Sequence, residues 1–308
     1  MNNNINIGVV VCDLRQLYMA KMLANAGYNV YLIYSEKFEN DKCYKDKLCE
    51  VVFDSKIDNL RVLNDISDII ELSDVLAGPV PMNKISEFMV LPKFIGTLVS
   101  REHKKNFLFY AGMIDTESLE ILENASIKCI DYMKSDKLTI YNTIATAEGI
   151  IAEAIIHKNT NLHGSSTLVL GYGKCAKTLA HKLSGLSADV TVAARNNDEL
   201  EAAYSLGYET IPLSVLKESI HNFEYIFNTI PTLILGEEIL EHVNKDSIIL
   251  DISSAPGGID KNAAMKYGIT VYHSLGIPGR FSPKSSGEAV GRHLIEIISK
   301  HSLHKINM

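Results

Sequence analysis

Residues 165–198 decide the fold: Ser165-Ser166-Thr167-Leu168-Val169-Leu170-Gly171-Tyr172-Gly173-Lys174-Cys175-Ala176, a helical run, then Val190-Thr191-Val192-Ala193-Ala194-Arg195-Asn196-Asn197. An apolar β-branched run enters a G-x-G-x-x-A turn, an amphipathic helix follows (Ala176, Leu179, Ala180, Leu183), and a second β-rich run closes the unit. The glycine pattern alone is weak, but this order of elements makes it specific for a dinucleotide turn. Gly171 permits the tight turn, Gly173 lets backbone approach a pyrophosphate, and Ala176 keeps helix and strand close. The free N–H groups at the helix start, with Tyr172, Lys174 and Cys175 in the turn, face the anion.

The end of the second strand bears on the cofactor. An NAD site usually has Asp or Glu there for the ribose hydroxyls, whereas this strand ends Ala194-Arg195-Asn196, with Arg195 22 residues after Gly173. A guanidinium suits a 2′-phosphate, which it grips through paired charge-assisted bonds, so NADP is favoured over NAD. The alternative for Arg195 is an ordinary solvated charge.

Working outward, the α/β alternation continues on the C-terminal side through Tyr225–Pro231, Ser247–Ile252 and Ile269–Tyr272, giving a doubly wound parallel sheet. Asn228-Thr229-Ile230-Pro231 is the type of turn that lies against the nicotinamide ribose. Upstream, Ile144, Ala147, Ile151, Ala154 and Ile155 have helical spacing, which predicts a linker helix over 142–158 with its first turns at an interdomain cleft. Asn142, Thr146 and Glu148 are its polar groups. Glu148 is a candidate general base, and the competing reading is a carboxylate meeting the helix dipole.

The N-terminal 140 residues read as a second Rossmann-like α/β domain: strand 5–11, a helix through Ala24, strand 28–34, and no G-x-G turn. Asp13 and Arg15 follow the first strand, where ligands gather; the two could instead simply pair with each other. Residues 36–60 read as charged and irregular. The second domain runs over 141–285, and a C-terminal helix over 286–302 is placed to pack back onto the first domain. Its approach, Gly276–Glu288, is rich in Gly, Pro and Ser, with Arg280, Lys284 and Ser285 as candidate carboxylate ligands.

The chain has 308 residues and a net charge of −7. That balance and the lack of a basic cluster argue against nucleic acid. No stretch has the build of a membrane span, Met1–Asn4 do not resemble a signal peptide, and a cytosolic protein is expected. The tail from His301 is expected to fray. Five scattered cysteines support neither a disulfide framework nor a metal site.

Taken together, Asp13–Leu17, Tyr141–Gly149, Leu170–Gly173, Ala194-Arg195, Phe227–Pro231, Pro256–Gly258, Gly276–Gly279 and Pro283-Lys284 resemble one family over nearly the whole chain, the dehydrogenase-like A subunits of dipicolinate synthase. The chain departs from the family at Ala145, Ser274-Leu275 and Ser285-Ser286, none of which removes a charge. The resemblance implies NADP-dependent oxidation of a dihydrodipicolinate to pyridine-2,6-dicarboxylate in a sporulating cell, beside a flavoprotein-like second subunit. It implies Arg15 and Lys284 on the two carboxylates from opposite sides of the cleft, and Asn142 and Thr146 orienting the substrate. A homo-oligomer is also expected. The competing readings are a shikimate- or hydroxyacid-dehydrogenase-like enzyme and a non-catalytic nucleotide-binding scaffold. A hydroxyacid enzyme needs a His–carboxylate pair, and His273 shows no clear partner in the sequence. A shikimate-type enzyme needs a Lys–Asp pair in the N-terminal domain, and none is evident.

Overall fold

The computed structural model describes residues 5–53, 57–101, 107–254 and 256–306, with side chains as far as residue 300. Met1–Asn4 and the tail side chains, on which two of the expectations above fall, lie outside the described residues. The chain divides into two compact units, residues 1–141 with 282–308, and residues 142–281.

The first unit carries β1 (Asn6–Val11), α1 (Leu14–Asn25), β2 (Asn29–Tyr34), α2 (Lys37–Asn40), α3 (Lys42–Leu48), β3 (Leu60–Val62), α4 (Ile66–Leu72), β4 (Val75–Ala77), α5 (Leu91–Ser100), β5 (Leu108–Ala111), α6 (Thr116–Asn124) and β6 (Lys128–Asp131). All pairings are parallel, in the order β3-β2-β1-β4-β5-β6. The strands are apolar on both faces because helices cover both; Ile7, Val9 and Val11 face one core, and Val10 and Leu76 the other. Within the stretch read as irregular, residues 37–53 are regular despite their charges. Phe38, Leu48, Val51 and Val52 are buried, and they hold α2, α3 and a following π-helical turn (Cys49–Phe53) against the sheet.

Helix α7 (Asp136–His157) begins six residues before the expected linker. Leu138 and Tyr141 join the first unit's core, whereas Ala147, Ile150, Ile151 and Ala154 join the second's. Ile144 and Ile155, assigned to the apolar face from spacing, are exposed at 37% and 57%. The buried stripe runs instead through Ala145, Ala147, Ile150, Ile151 and Ala154.

The second unit adds β7 (Ser166–Leu170), α8 (Lys174–Gly185), β8 (Asp189–Ala194), α9 (Asn197–Tyr204), β9 (Glu209–Pro212), α10 (Leu216–Ser219), β10 (Tyr225–Asn228), α11 (Glu237–Leu240), β11 (Ile248–Asp251), α12 (Lys261–Tyr267), β12 (Thr270–His273) and α13 (Ile277–Phe281). Its parallel sheet runs β12-β11-β10-β7-β8-β9. Both sheets therefore reverse direction beside their first strand, which opens a crevice at the carboxyl ends of the strands. The last helix, α14 (Pro283–Ile306), returns to the first unit, where Ala289, Leu294 and Ile298 enter the core beside α1.

Candidate functional site

In the second unit the glycine turn stands at that crevice. Gly171 has φ +90°, and a Cβ there would lie 2.8 Å from Thr229 Oγ1, so the fold itself requires glycine. Gly173 differs: its φ is an ordinary −74°, and nothing lies within 4 Å of where a Cβ would stand. The fold does not demand glycine at 173. Gly173 is also the N-cap of α8 and supplies no side-chain cap at that helix start. These residues suit a dinucleotide pyrophosphate.

A hollow of about 420 Å³ opens here, lined by Gly171, Tyr172, Gly173, Arg195, Asn196, Thr229, Ile230 and Pro231. Glu199 and Leu213 also line it and escaped the sequence reading. Glu199 is in the first turn of α9, four residues past Arg195, where helical spacing could have flagged it. Arg195 is exposed and makes no ion pair among the described residues. Asn196 caps α9 by accepting from Asp198 N at 2.9 Å. Ala194 and Ala176 are buried packing residues, and Lys174 opens α8 on its exposed side. The helix start does not activate Cys175, because burial pushes its thiol up to about 11.

Asn228 lies beneath this hollow, fully buried. Its side chain ties the turn together, accepting from Ile230 N (3.1 Å) and donating to Ile230 O (3.1 Å) and Asp251 Oδ1 (2.9 Å).

In the first unit Asp13 occupies the place that Gly173 holds in the second. Its carboxylate caps α1, accepting from Arg15 N at 3.0 Å, and Gln16 Oε1 closes a capping box on Asp13 N at 2.8 Å. A carboxylate at the helix start repels phosphate, in keeping with the missing glycine turn. Arg15 pairs with Asp13 through Nε (3.0 Å) and Nη2 (2.7 Å), and Nη2 also donates to Val80 O (3.1 Å). Lys84, not foreseen, reaches the same carboxylate at 3.4 Å. Two cations thus face one acid, leaving a net positive charge at the end of β1. The expectation that no Lys–Asp pair exists in this domain is overturned, because the Pro79–Pro81 loop brings Lys84 71 residues back to Asp13.

Lys284 and Ser285 are exposed in the first turn of α14, and Ser286 is buried with its Oγ unpartnered. Arg15 and Lys284 were expected to face each other from opposite domains. They belong to the same unit: α14 packs on α1, and Gly287 stands where a Cβ would be 2.1 Å from Arg15 O.

Burial alone would raise the Asp13 carboxyl, but the Arg15 hydrogen bond and charge outweigh it and hold the group at about 2, below its ordinary 3.8. A depressed carboxyl stabilises the fold above its unfolded value, and that contribution is lost as pH falls through the folded one. The expected result is a loss of about 2 kcal/mol between about pH 4 and pH 2. Acid unfolding followed by circular dichroism checks it, and Asp13→Asn should flatten this part of the curve.

On α7, Thr146 Oγ1 bonds back to Asn142 O at 2.8 Å, and Thr143 meets Thr178 of α8 at 2.8 Å. Further along, Glu148 is exposed and pairs with Lys182 at 2.8 Å. The two helices therefore run alongside each other in the same direction. Lys182 is eight residues past Lys174, about 12 Å down α8 from the glycine turn. Glu148 is accordingly a surface ion pair two helical turns from the dinucleotide hollow, not a base at its edge.

His273, thought to lack a partner, has one. Its Nδ1 lies 3.1 Å from Oδ2 of buried Asp251. The two are 22 residues apart in sequence, but they end adjacent parallel strands in direct register. Nearby, buried Glu153 of α7 accepts from Ser274 Oγ and forms an ion pair with Arg280. Arg280, weighed above as a carboxylate ligand, is thereby engaged within its own unit.

Comparison with known proteins bears on the fold and on overall similarity. Residues 151–274 match the family model described as shikimate / quinate 5-dehydrogenase. The A subunit of dipicolinate synthase from Bacillus subtilis (strain 168) is 28% identical over 309 residues, covering 97% of this chain and 98% of that protein. The crystal structure of the Bacillus subtilis dipicolinate synthase A chain superposes with a TM-score of 0.79 at 26% identity, covering 99% of both chains. Alanine dehydrogenase 1 of Staphylococcus aureus (strain Mu50 / ATCC 700699) is 28% identical over 115 residues, only 33% of this chain and 31% of that one. The resemblance to the dipicolinate synthase protein is thus end to end, and the two-unit α/β fold is shared.

Proposed function

We propose that this chain is the dehydrogenase component of a dipicolinate synthase, oxidising a dihydrodipicolinate to pyridine-2,6-dicarboxylate with NADP⁺ as hydride acceptor, beside a second subunit. The single observation that carries the reading is Gly173, an open, unforced glycine at an uncapped helix start, in a chain similar to that enzyme from end to end. A bound nicotinamide dinucleotide would supply the hydride acceptor. Gly171–Ala176 would hold its pyrophosphate, Arg195 its 2′-phosphate, and Asn228–Pro231 the ribose at its reactive end. In the other unit Lys284, Ser285 and the buried Ser286 hydroxyl would take a substrate carboxylate, and Arg15 and Lys84 would supply positive charge at the end of β1. Aromatisation drives the reaction, so the protein has chiefly to orient the ring and accept one proton. In the resemblance-based reading Asn142 and Thr146 orient the substrate.

The Arg195 assignment has its own test. Arg195→Ala should weaken NADP⁺ binding roughly 10- to 100-fold, the worth of a charge-assisted pair, and leave NAD⁺ binding unchanged. Fluorescence titration with the two reduced cofactors reads this directly. Equal weakening of both, or of neither, would refute the role. Crystals soaked with dipicolinate should show a carboxylate on Lys284 and the start of α14; density elsewhere would remove that assignment.

One observation favours a second reading. Lys84 beside Asp13, with the matching family model, fits a shikimate-type alcohol dehydrogenase. Asp13 is, however, already satisfied by Arg15 and the α1 cap, and the matching model stops short of the first unit. NADP⁺ reduction with shikimate in place of dihydrodipicolinate would favour this second reading.

A further inference from the structure

The carboxyl ends of four adjacent strands align as a row: Leu170 pairs with Asn228, Asn228 with Asp251, and Asp251 with His273. At about 4.8 Å per strand, the row runs on the order of 14 Å from the glycine turn to His273. Arg195 stands on the opposite side of that turn, at the end of β8. Asn228, Asp251 and His273 thus lie on the side of the turn away from Arg195, and would face the nicotinamide half of a dinucleotide held by Gly171–Ala176 and Arg195.

The row is a hydrogen-bonded relay. Asp251 is 2% exposed. Its Oδ1 accepts from Asn228 Nδ2 (2.9 Å), Ser253 N (3.0 Å) and Ser253 Oγ (2.6 Å), which leaves Oδ2 to His273 Nδ1 at 3.1 Å. A carboxylate oxygen can only accept, so Nδ1 of a neutral His273 carries the hydrogen and Nε2 presents a lone pair. Nε2 makes no hydrogen bond among the described residues, and the side chain keeps 28% of its surface open. The backbone on either side is fixed. Ser274 N donates to Asp251 O at 2.8 Å, Ser274 Oγ bonds buried Glu153, and Tyr272 stacks on His157 at 3.9 Å. A solvent-facing imidazole with one oriented, unused nitrogen, on a rigid strand end, has the form of a proton acceptor.

We propose that His273 is the proton acceptor of the oxidation and that Asp251 positions it. The inference rests on the dehydrogenase reading above. The dihydropyridine loses two hydrogens. One C–H bond breaks with its electron pair, which leaves as hydride to the oxidised nicotinamide ring. The other hydrogen leaves as a proton to His273 Nε2, and its bonding pair completes the aromatic ring. The imidazolium so formed is stabilised by Asp251 and releases its proton to water.

The test uses the full chain with its second subunit, and three readouts. The first is the tautomer of His273 in the free protein, from ¹⁵N shifts assigned by their loss in His273→Gln. The protonated nitrogen should be Nδ1, and finding it at Nε2 overturns the proposal. The second is the rate of reduced-dinucleotide formation, which His273→Gln should lower roughly 100-fold or more while NADPH affinity stays within about twofold. Full turnover in His273→Gln overturns the proton-acceptor role and leaves the dehydrogenase reading intact. No turnover in the wild type, with dinucleotide still bound, overturns both. The third is Asp251→Asn, whose amide can donate to Nδ1; it should move the hydrogen to Nε2 and slow turnover with it. An unchanged tautomer in that variant refutes the positioning role. Should the variant fail to fold, Ser253→Ala, which removes one donor to the same carboxylate, should slow turnover without weakening NADPH binding. An unaltered rate there would equally count against the relay.

Discussion

Gly173→Asp should abolish dinucleotide binding and leave the protein at least as stable as before. Gly173 is the N-cap of α8 and makes no side-chain cap bond. Asp is among the best residues at that position, where its carboxylate bonds the orphan N–H groups and meets the helix dipole. The space for it is open, and the backbone φ of −74° is ordinary. Folding therefore gains, by about 0.5 kcal/mol. Binding loses both the donors and the room a pyrophosphate would need, and it acquires a like charge. Losing two charge-assisted bonds costs about 3 kcal/mol, or roughly 100-fold in affinity, before repulsion is counted. The first unit already shows the product of such a change: Asp13 caps α1 at the equivalent turn. Thermal melts with and without NADPH check both halves. The ligand-induced rise in Tm should disappear while the ligand-free Tm holds or rises. A fall in the ligand-free Tm would mean that glycine at 173 serves the fold.

The second large effect concerns α14. By helix propensity alone, Gly287→Ala should stabilise by about 1 kcal/mol. The packing predicts the reverse. The added Cβ would lie 2.1 Å from Arg15 O and 3.0 Å from Arg15 C, atoms held by the β1–α1 connection and the Asp13 capping box. Backbone there cannot move aside as a flexible side chain can, so the helix must shift, at a cost of about 2–3 kcal/mol. Gly291, one turn on, provides the control. Its nearest neighbour is the Met22 thioether at 3.0 Å, which can rotate away. Gly291→Ala should be near neutral. Urea unfolding of the pair separates the effects, and equal midpoints would contradict the close α1–α14 packing. Because Lys284–Ser286 form the first turn of α14, Gly287→Ala should also weaken any ligand held there.

These two glycines mark what could be read from sequence. The turn at 171–176 was legible because its constraints are local: a positive φ, an anion-facing amide and a close helix–strand contact each leave a glycine or alanine at fixed spacing. Gly287 sits in a helical pattern with no local reason to be glycine; its reason is a carbonyl more than 270 residues earlier in the chain. The same limit hid Asp251 beside His273 and Lys84 beside Asp13, which meet only because parallel strands align their ends. Both strands of the His273 pair were recognised, and alignment of their termini was the one available signal. Glu148 shows the converse error. It lies on a helix, as its spacing predicts, but the direction of α7 along α8 carries it away from the turn at Gly173 to Lys182. The return of the C-terminal helix to the first domain is legible in the sequence, but its start three residues earlier, at Pro283, puts Lys284 in the unit of Arg15.

The most direct test of the central claim is the conversion itself. The purified chain, by itself and with its second subunit, is mixed with dihydrodipicolinate and NADP⁺, and the products are followed by reduced-nicotinamide absorbance and dipicolinate chromatography. One dipicolinate should form for each NADPH. Tight NADPH binding without any dipicolinate, with the second subunit present or absent, would contradict it and leave a nucleotide-binding scaffold in its place.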